Sequence, residues 1–284
     1  MKKIAYIILT YKDSLLTERV IKKLKDDRAE FFIHVDKKTD ISDFLFLENY
    51  PNVHLVKDRV LVKWGSISTT QAALSGFKEA SKNPDIGFFL LLSGQDYPIK
   101  RPSEIFALAE QGKSLLNHFE LPYSGWKGGG MHRFRRYHLF ISRNGIIRRI
   151  DNIINFFLPR RKLPLNQKAY GGDFWCGLTR ESVEYIFDFL KKNPDYLNFF
   201  KYTFIVDELF FPIVLLNGPA SISKGLDNKF TSYADWSKPK GPYPATLTEK
   251  DFDNIKNKPN IFIRKIDRIK SEKLLDLIDN NLLS

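Results

Sequence analysis

The sequence predicts a single α/β domain with a Rossmann-like, mostly parallel central sheet flanked by helices. Three observations predict it. Nearly unbroken apolar runs of strand length lie at residues 3–10, 31–36, 53–56 and 88–93. Strands that are apolar on both faces suit a parallel sheet covered by helices on both sides. Segments with apolar residues at helical spacing alternate with these runs, the pattern of βαβ units. The third observation is the abrupt end of the run 88–93 in Ser93-Gly94-Gln95-Asp96-Tyr97-Pro98. In an open α/β sheet ligands bind just beyond the carboxyl ends of the strands, so this polar loop marks a candidate site.

Taken in order, residues 3–10 form the first strand and end at Thr10. Residues 14–24 place Leu15, Leu16, Val20, Ile21 and Leu24 at helical spacing with charges between. The second strand, 31–36, ends in Asp36. A short third strand covers 53–56, and a helix follows the Trp64-Gly65 turn from 66 to 80. After the strand 88–93 comes a helix over 102–110, where Pro102 suits the first turn. Residues 120–137 read as a loop that can move, because they carry Trp126, the run Gly128-Gly129-Gly130, and Arg133, Arg135 and Arg136. Residues 143–162 read as an amphipathic helix with Ile146, Ile147, Ile150, Ile153, Ile154, Phe157 and Leu158 on one side. Arg143, Arg148, Arg149, Arg160, Arg161 and Lys162 flank it. Such a helix either faces the core with its arginines solvated, the commoner arrangement, or lies on an anionic membrane. Residues 171–178 read as a buried strand and 181–191 as a helix. The next helix begins with Asp207 and Glu208 at its first turn, where the helix dipole favours acids, and continues through Phe210, Phe211, Ile213 and Val214. Residues 233–242 read as a loop, 262–267 as an apolar run ending in cations, and the chain closes on a helix through Leu274, Leu275 and Ile278.

The 284 residues, 43% of them hydrophobic and 14% aromatic, can bury a sizeable core. The single cysteine, Cys176, excludes an internal disulfide framework and a multi-cysteine zinc site. The N-terminal apolar run is too short for a signal peptide and lacks a small-residue cleavage pattern, so the chain is expected to start on its first core strand. No segment reaches the roughly 18–20 apolar residues of a membrane span. A formal charge of +12 favours anionic partners such as nucleic acid, acidic lipid or phosphorylated small molecules. No helix-turn-helix, RNP or zinc-finger pattern supports the first, and nucleic acid is not expected as a partner.

The five histidines are scattered, and none pairs with another at metal-ligand spacing. Asp251-Phe252-Asp253 follows no buried strand and reads as a solvated helix start rather than a cation site. Walker-type and dinucleotide-type glycine patterns are missing. Ser93 lacks a nucleophile elbow, and Cys176 sits in an apolar run. What remains is acids with cations. Glu208, partly desolvated beside aromatics, suits a general base. Arg264 and Lys265 suit the neutralisation of a diphosphate.

The segments His34-Val35-Asp36-Lys37-Lys38, Val60-Leu61-Val62-Lys63-Trp64-Gly65, 92–100, 171–181, Asp207-Glu208-Leu209-Phe210-Phe211 and 262–267, in this order, resemble the core-2/I-branching β-1,6-N-acetylglucosaminyltransferase family (glycosyltransferase family 14), which also contains peptide O-xylosyltransferases. The resemblance runs over nearly the whole chain. It implies a GT-A-like fold, with residues 1–118 as a nucleotide-binding half and 119–284 as an acceptor-binding and catalytic half. It also implies an inverting mechanism, a UDP-sugar donor, and no cofactor or metal, basic side chains standing in for the ion. Carried over by position, Glu208 resembles the catalytic base, Asp36 the acid near the uridine, and Lys265 the lysine on the diphosphate. A second basic partner falls at 238–240 and is assigned to Lys240. Thr10, Trp64, Asp96, Trp175 and Arg264 complete the expected nucleotide-sugar site; Trp64 and Trp175 either wall the sugar or pack in the core, and the resemblance favours the sugar for Trp175. Glu120, Arg133 and Asp207 fall at acceptor positions. Leu61 stands where animal members carry an aromatic near the nucleotide, and the 125–137 loop diverges. With few cysteines and no anchor, the chain resembles a bacterial, cytoplasmic member. A glycan or lipid-linked oligosaccharide is the expected acceptor, with peripheral contact to the inner face of an anionic membrane.

Overall fold

The computed structural model describes residues 2–140, 144–237 and 244–284. In chain order the strands and helices are β1 (Lys3–Thr10), α1 (Ser14–Lys23), β2 (Ala29–Val35), β3 (Val53–Leu55), α2 (Ser68–Ser81), β4 (Ile86–Ser93), β5 (Tyr97–Pro98) and α3 (Pro102–Ala109). They continue with β6 (Ser114–Leu115), β7 (His118–Glu120), α4 (His132–Arg135), α5 (Gly145–Phe157), β8 (Tyr170–Gly172), β9 (Gly177–Thr179), α6 (Arg180–Lys192), α7 (Tyr196–Phe200) and α8 (Asp207–Leu216). Last come α9 (Ala220–Ser223), β10 (Leu226–Asp227), β11 (Ser232–Ala234), α10 (Phe252–Ile255), β12 (Phe262–Arg264) and α11 (Glu272–Asn281).

A seven-stranded sheet in the order β10-β6-β9-β4-β1-β2-β3 forms the centre of one mixed α/β domain. β1 pairs in parallel with both β2 and β4, and β9 runs antiparallel to β4. The chain moves outward from β1 to β2 and β3, then returns to the other side of β1 as β4. That reversal is a topological switch point, and it opens a crevice at the carboxyl ends of β1 and β4. Strand residues alternate between two cores. Ile4, Tyr6, Ile8, Phe31, Ile33, Leu90 and Leu92 pack with apolar residues of α1 and α11 on one face. Ala5, Ile7, Phe32, Phe89 and Leu91 pack with α2, α6 and α8 on the other. Arg19 of α1 binds Asp276 and Asp279 of α11, and Tyr97 Oη donates to Asp279, which fixes the last helix against the first.

Three expectations change. The run 171–178 is two strands, not one. β8 pairs with β7 in a separate two-stranded sheet, and β9 enters the central sheet. Asp173 makes the break by accepting hydrogen bonds from the amides of Phe174 (2.8 Å) and Trp175 (3.4 Å). The 120–137 loop contains the end of β7, a 3-10 turn at Lys127–Gly130 and the short helix α4. Gly128, Gly129 and Gly130 all have positive φ (59°, 67° and 78°), a left-handed run that side chains other than glycine resist. Third, Arg161 is not a solvated cation flanking a helix. It is buried, with Nη1 donating to the carbonyls of Tyr202 (2.9 Å) and Arg136 (3.2 Å) and Nη2 to that of Phe199.

Candidate functional site

A cavity of about 450 Å3 opens at the carboxyl ends of β1 and β4. Its walls are the β1 exit with Thr10, Tyr11 and Lys12, the β2 exit with His34, Asp36 and Lys38, and Val62, Trp64 and Thr69. The β4 exit (Ser93, Gly94, Gln95), the 173–175 bend, Asp207 and Glu208 of α8, Trp236, and Arg264 with Lys265 complete it. The register explains the convergence: Thr10 lies opposite Val35, and Leu9 opposite Ser93. The amide of Gly94 donates to the Leu9 carbonyl at 2.8 Å, and a Cβ on Gly94 would collide with the Thr10 side chain. Only glycine lets the two strand exits approach this closely.

On the nucleotide side of the expectation, Asp36 is buried, and its carboxylate organises the loop beside it. Oδ1 accepts from the amides of Lys38 (3.1 Å) and Val62 (3.3 Å), while Oδ2 lies 3.1 Å from Lys38 Nζ. Thr10 Oγ1 donates to the Lys12 carbonyl at 2.9 Å. Trp64 stands exposed at the rim, edge-on to Phe204 at 5.6 Å. His34 is buried, its Nε2 accepting from the Val60 amide at 2.9 Å, and burial pushes its pKa down.

The cations come from the end of β12. Arg264 Nε lies 3.3 Å from Asp96 Oδ1, and its guanidinium covers the Trp175 ring at 4.4 Å. Asp96 itself is wholly buried and does not line the cavity, which corrects its placement among ligand-contacting residues. It stands behind the wall at ion-pair distance from Arg264, with no hydrogen bond at Asp96 Oδ1 or Arg264 Nε among the described residues. Burial pushes its carboxyl up while Arg264 pulls the other way. Lys265 lines the cavity, and its ammonium is pushed below the usual lysine range by burial and by the nearby Arg264 and Lys12 charges.

The acids come from the start of α8. Ile205, two residues earlier, has φ 52°, an uncommon conformation for a β-branched residue. Its amide donates to the Gly65 carbonyl at 2.7 Å, tying the Trp64-Gly65 turn to the helix start. Glu208 Oε2 is 2.5 Å from Arg133 Nη1, and the Arg133 guanidinium stacks on Trp126 at 3.4 Å from the ring centroid. Arg133, placed by sequence on the acceptor, is therefore a partner of Glu208. Asp207 lines the same cavity, and its Oδ1 is shut off from water with no hydrogen-bond partner among the described residues. Burial, aided by the Glu208 charge, pushes its pKa up to about 7. Asp173 is pushed up to about 6 by burial, with Arg264 opposing.

Eight candidates thus meet around one cavity: Thr10, Asp36, Trp64, Trp175, Asp207, Glu208, Arg264 and Lys265. Glu120 does not; it is exposed at the end of β7. Lys240 lies outside the described residues. Asp173 and Lys12 are additions that sequence reasoning missed. Asp173 carried a signal, an acid interrupting an apolar run directly after two glycines. Among the described residues no group of three or more His, Cys, Asp or Glu side chains is arranged to hold a metal ion. Fixed cations and carboxylates sharing one crevice suit a ligand that is anionic at one end and carries a hydroxyl-bearing reaction partner at the other.

Comparison with known proteins adds the following. The model of the family described as Core-2/I-Branching enzyme matches residues 4–256. Xylosyltransferase 2 of Rattus norvegicus is 26% identical over 312 residues, covering 99% of this chain and 34% of its own. Xylosyltransferase 1 of the same organism is 24% identical over 310 residues, covering 99% and 35%. The chain therefore spans about a third of the length of these relatives. Among solved structures, mouse xyloside xylosyltransferase 1 in its apo form aligns over 92% of this chain and 97% of its own, with 10% identity and a TM-score of 0.36.

Proposed function

The chain belongs to the Core-2/I-Branching enzyme family, and from that premise we propose that it is an inverting, metal-independent glycosyltransferase. It moves a sugar from a UDP-sugar to a glycan or lipid-linked oligosaccharide and forms a β-linkage. The observation that carries this reading is the sharing of one switch-point cavity by the Glu208 carboxylate and the Arg264–Lys265 cations.

In this reading Glu208 accepts the proton of an acceptor hydroxyl as that oxygen attacks the anomeric carbon. The bond to the diphosphate breaks on the opposite face of the sugar, and the leaving oxygen takes the electron pair. Arg264, immobilised between buried Asp96 and Trp175, and Lys265 meet the negative charge that builds there. Cations fixed before the reaction stabilise that charge without reorganising during it. Asp36 shapes the loop that meets the nucleoside, and Trp175 walls the sugar. Arg133 competes with the acceptor for Glu208, so acceptor binding has to loosen the Arg133–Glu208 pair. Two donors lead the list: UDP-GlcNAc, from the branching enzymes, and UDP-xylose, from the names of the relatives.

A panel of UDP-sugars scored by thermal shift and by donor hydrolysis tests the proposal. A true donor at a hundredfold excess over its Kd adds about 2.7 kcal/mol of stability. Glu208→Gln is expected to lower kcat by about 10²- to 10⁴-fold while keeping the donor-induced thermal shift. Near-native turnover in that variant removes Glu208 as the base. Turnover is expected to survive EDTA, and strict dependence on added Mn²⁺ would overturn the metal-free mechanism.

A further inference from the structure

Helix α5 is built the wrong way round for a helix of a water-soluble core. Three of its polar side chains, Asp151, Asn152 and Asn155, bond to the protein. Asp151 is buried and accepts from the Leu139 amide at 3.1 Å. Asn155 accepts from the Tyr137 amide at 2.8 Å and donates to the Tyr137 carbonyl, and Asn152 accepts from Arg136 Nη2 at 2.8 Å. Most of the apolar residues face out, with Ile147 and Ile154 half-buried. Ile146, Ile150, Ile153, Phe156 and Phe157 are exposed, the two phenylalanines by 83% and 78%. The core-facing arrangement expected as the commoner one is thus overturned. Positions 146, 150, 153 and 157 follow helical spacing, so they form one continuous stripe. A contiguous apolar stripe of this kind marks a surface that is covered in use.

Charge shows what covers it. Beside the stripe lies a cleft of about 390 Å3 lined by Arg135, Arg136 and Arg160, with Phe156 shared between cleft and stripe. Arg149 is exposed on the helix itself. An apolar face bordered by arginines complements an anionic lipid surface, where the hydrocarbon takes the side chains and the headgroup phosphates take the guanidinium groups. A second copy fits poorly, because a two-fold contact through this stripe would bring the same arginines against each other. No described helix is long and apolar enough to cross a membrane, so α5 would lie in the interface plane.

We propose that α5 is a membrane-docking element that seats its Ile146–Phe157 stripe in a bilayer containing anionic phospholipid. The proposal goes beyond sugar transfer and holds or fails independently of it. It does place the site usefully: α4 carries both Arg133, which touches Glu208, and Arg135, which lines the docking cleft.

Vesicle sedimentation tests it, with phosphatidylcholine alone against equal parts phosphatidylcholine and phosphatidylglycerol. The native chain is expected to bind the mixed vesicles and not the neutral ones. The double variant Phe156→Ser with Phe157→Ser keeps every charge and touches no buried residue. It is expected to keep its melting temperature and to lose about tenfold or more in partitioning per phenylalanine. Arg135→Gln with Arg160→Gln is expected to weaken binding and flatten its salt dependence. In an Ile153→Trp variant, brominated acyl chains are expected to quench the added fluorescence. Three results overturn the proposal: native-like binding by the double phenylalanine variant, which means adsorption through net charge alone; no native binding to the mixed vesicles; or a solution dimer that the phenylalanine variant dissociates, which means a second copy covers the stripe.

Discussion

Asp207 offers the sharpest test of the site's electrostatics. Its ordinary pKa of 3.8 is pushed up to about 7, first by burial and then by the Glu208 charge. A carboxyl whose pKa is higher in the folded than in the unfolded chain lowers stability as pH rises. Below about pH 4 both states hold the proton and there is no effect. Between about 4 and 7 the unfolded chain has released its proton and the folded chain still holds it, so each step up in pH favours unfolding. Above about 7 the loss is complete. One pKa unit is about 1.4 kcal/mol, so between pH 5 and pH 8 about two units act, or about 2.7 kcal/mol. At about 2–4 °C per kcal/mol for a chain of this size, that is about 5–10 °C. Asp207→Asn removes the titration and keeps the shape. Its melting temperature relative to the native chain is therefore expected to climb by that amount from pH 5 to pH 8 in scanning calorimetry. Because Glu208 supplies part of the shift, the climb is expected to shrink in the Glu208→Gln background. A difference that stays level across this pH range, or one indifferent to Glu208→Gln, refutes the reasoning.

Three further outcomes follow from the packing. Asp96→Ala strands Arg264 beside a buried vacancy and is expected to destabilise the fold by about 3–5 kcal/mol in urea titration, together with a weakened UDP-induced thermal shift. A loss under about 1 kcal/mol would show that the pair does not hold the wall. Gly94→Ala pushes the added methyl into Thr10 and is expected to cost about 1–3 kcal/mol in the same titration, with a larger relative loss of donor binding. Arg161→Met takes the arginine donor from the carbonyls of Phe199, Arg136 and Tyr202, of which Tyr202 keeps the amide of His138. A loss of about 2–6 kcal/mol is expected by denaturant unfolding, at about 1–3 kcal/mol for each of the other two carbonyls.

Much of the frame was legible before the structure. The apolar runs of β1, β2 and β4 announced strands buried on both faces, because the sheet is covered on both sides. The polar exit after Ser93 announced the cavity, because a switch point leaves strand ends uncovered. The first-turn position of Asp207 and Glu208 was equally clear, since helix dipole and apolar period both placed them there. The 171–178 segment was not legible. An apolar run has no mark for leaving one sheet and joining another; that depends on Asp173 turning its carboxylate onto two backbone amides.

Local sequence determined which residues share a face, which strands are buried, and which acids and cations were available for chemistry. Those follow from side-chain period and burial preference, and both act over a few residues. Tertiary structure alone decided which face of α5 looks inward, that Arg161 is buried and Glu120 exposed, and that Asp96 pairs with Arg264 from far along the chain. Amphipathicity reports that a helix has two sides but not which side meets the protein. Charge pairing likewise depends on distances that the fold sets, and residues so far apart in sequence carry no trace of them.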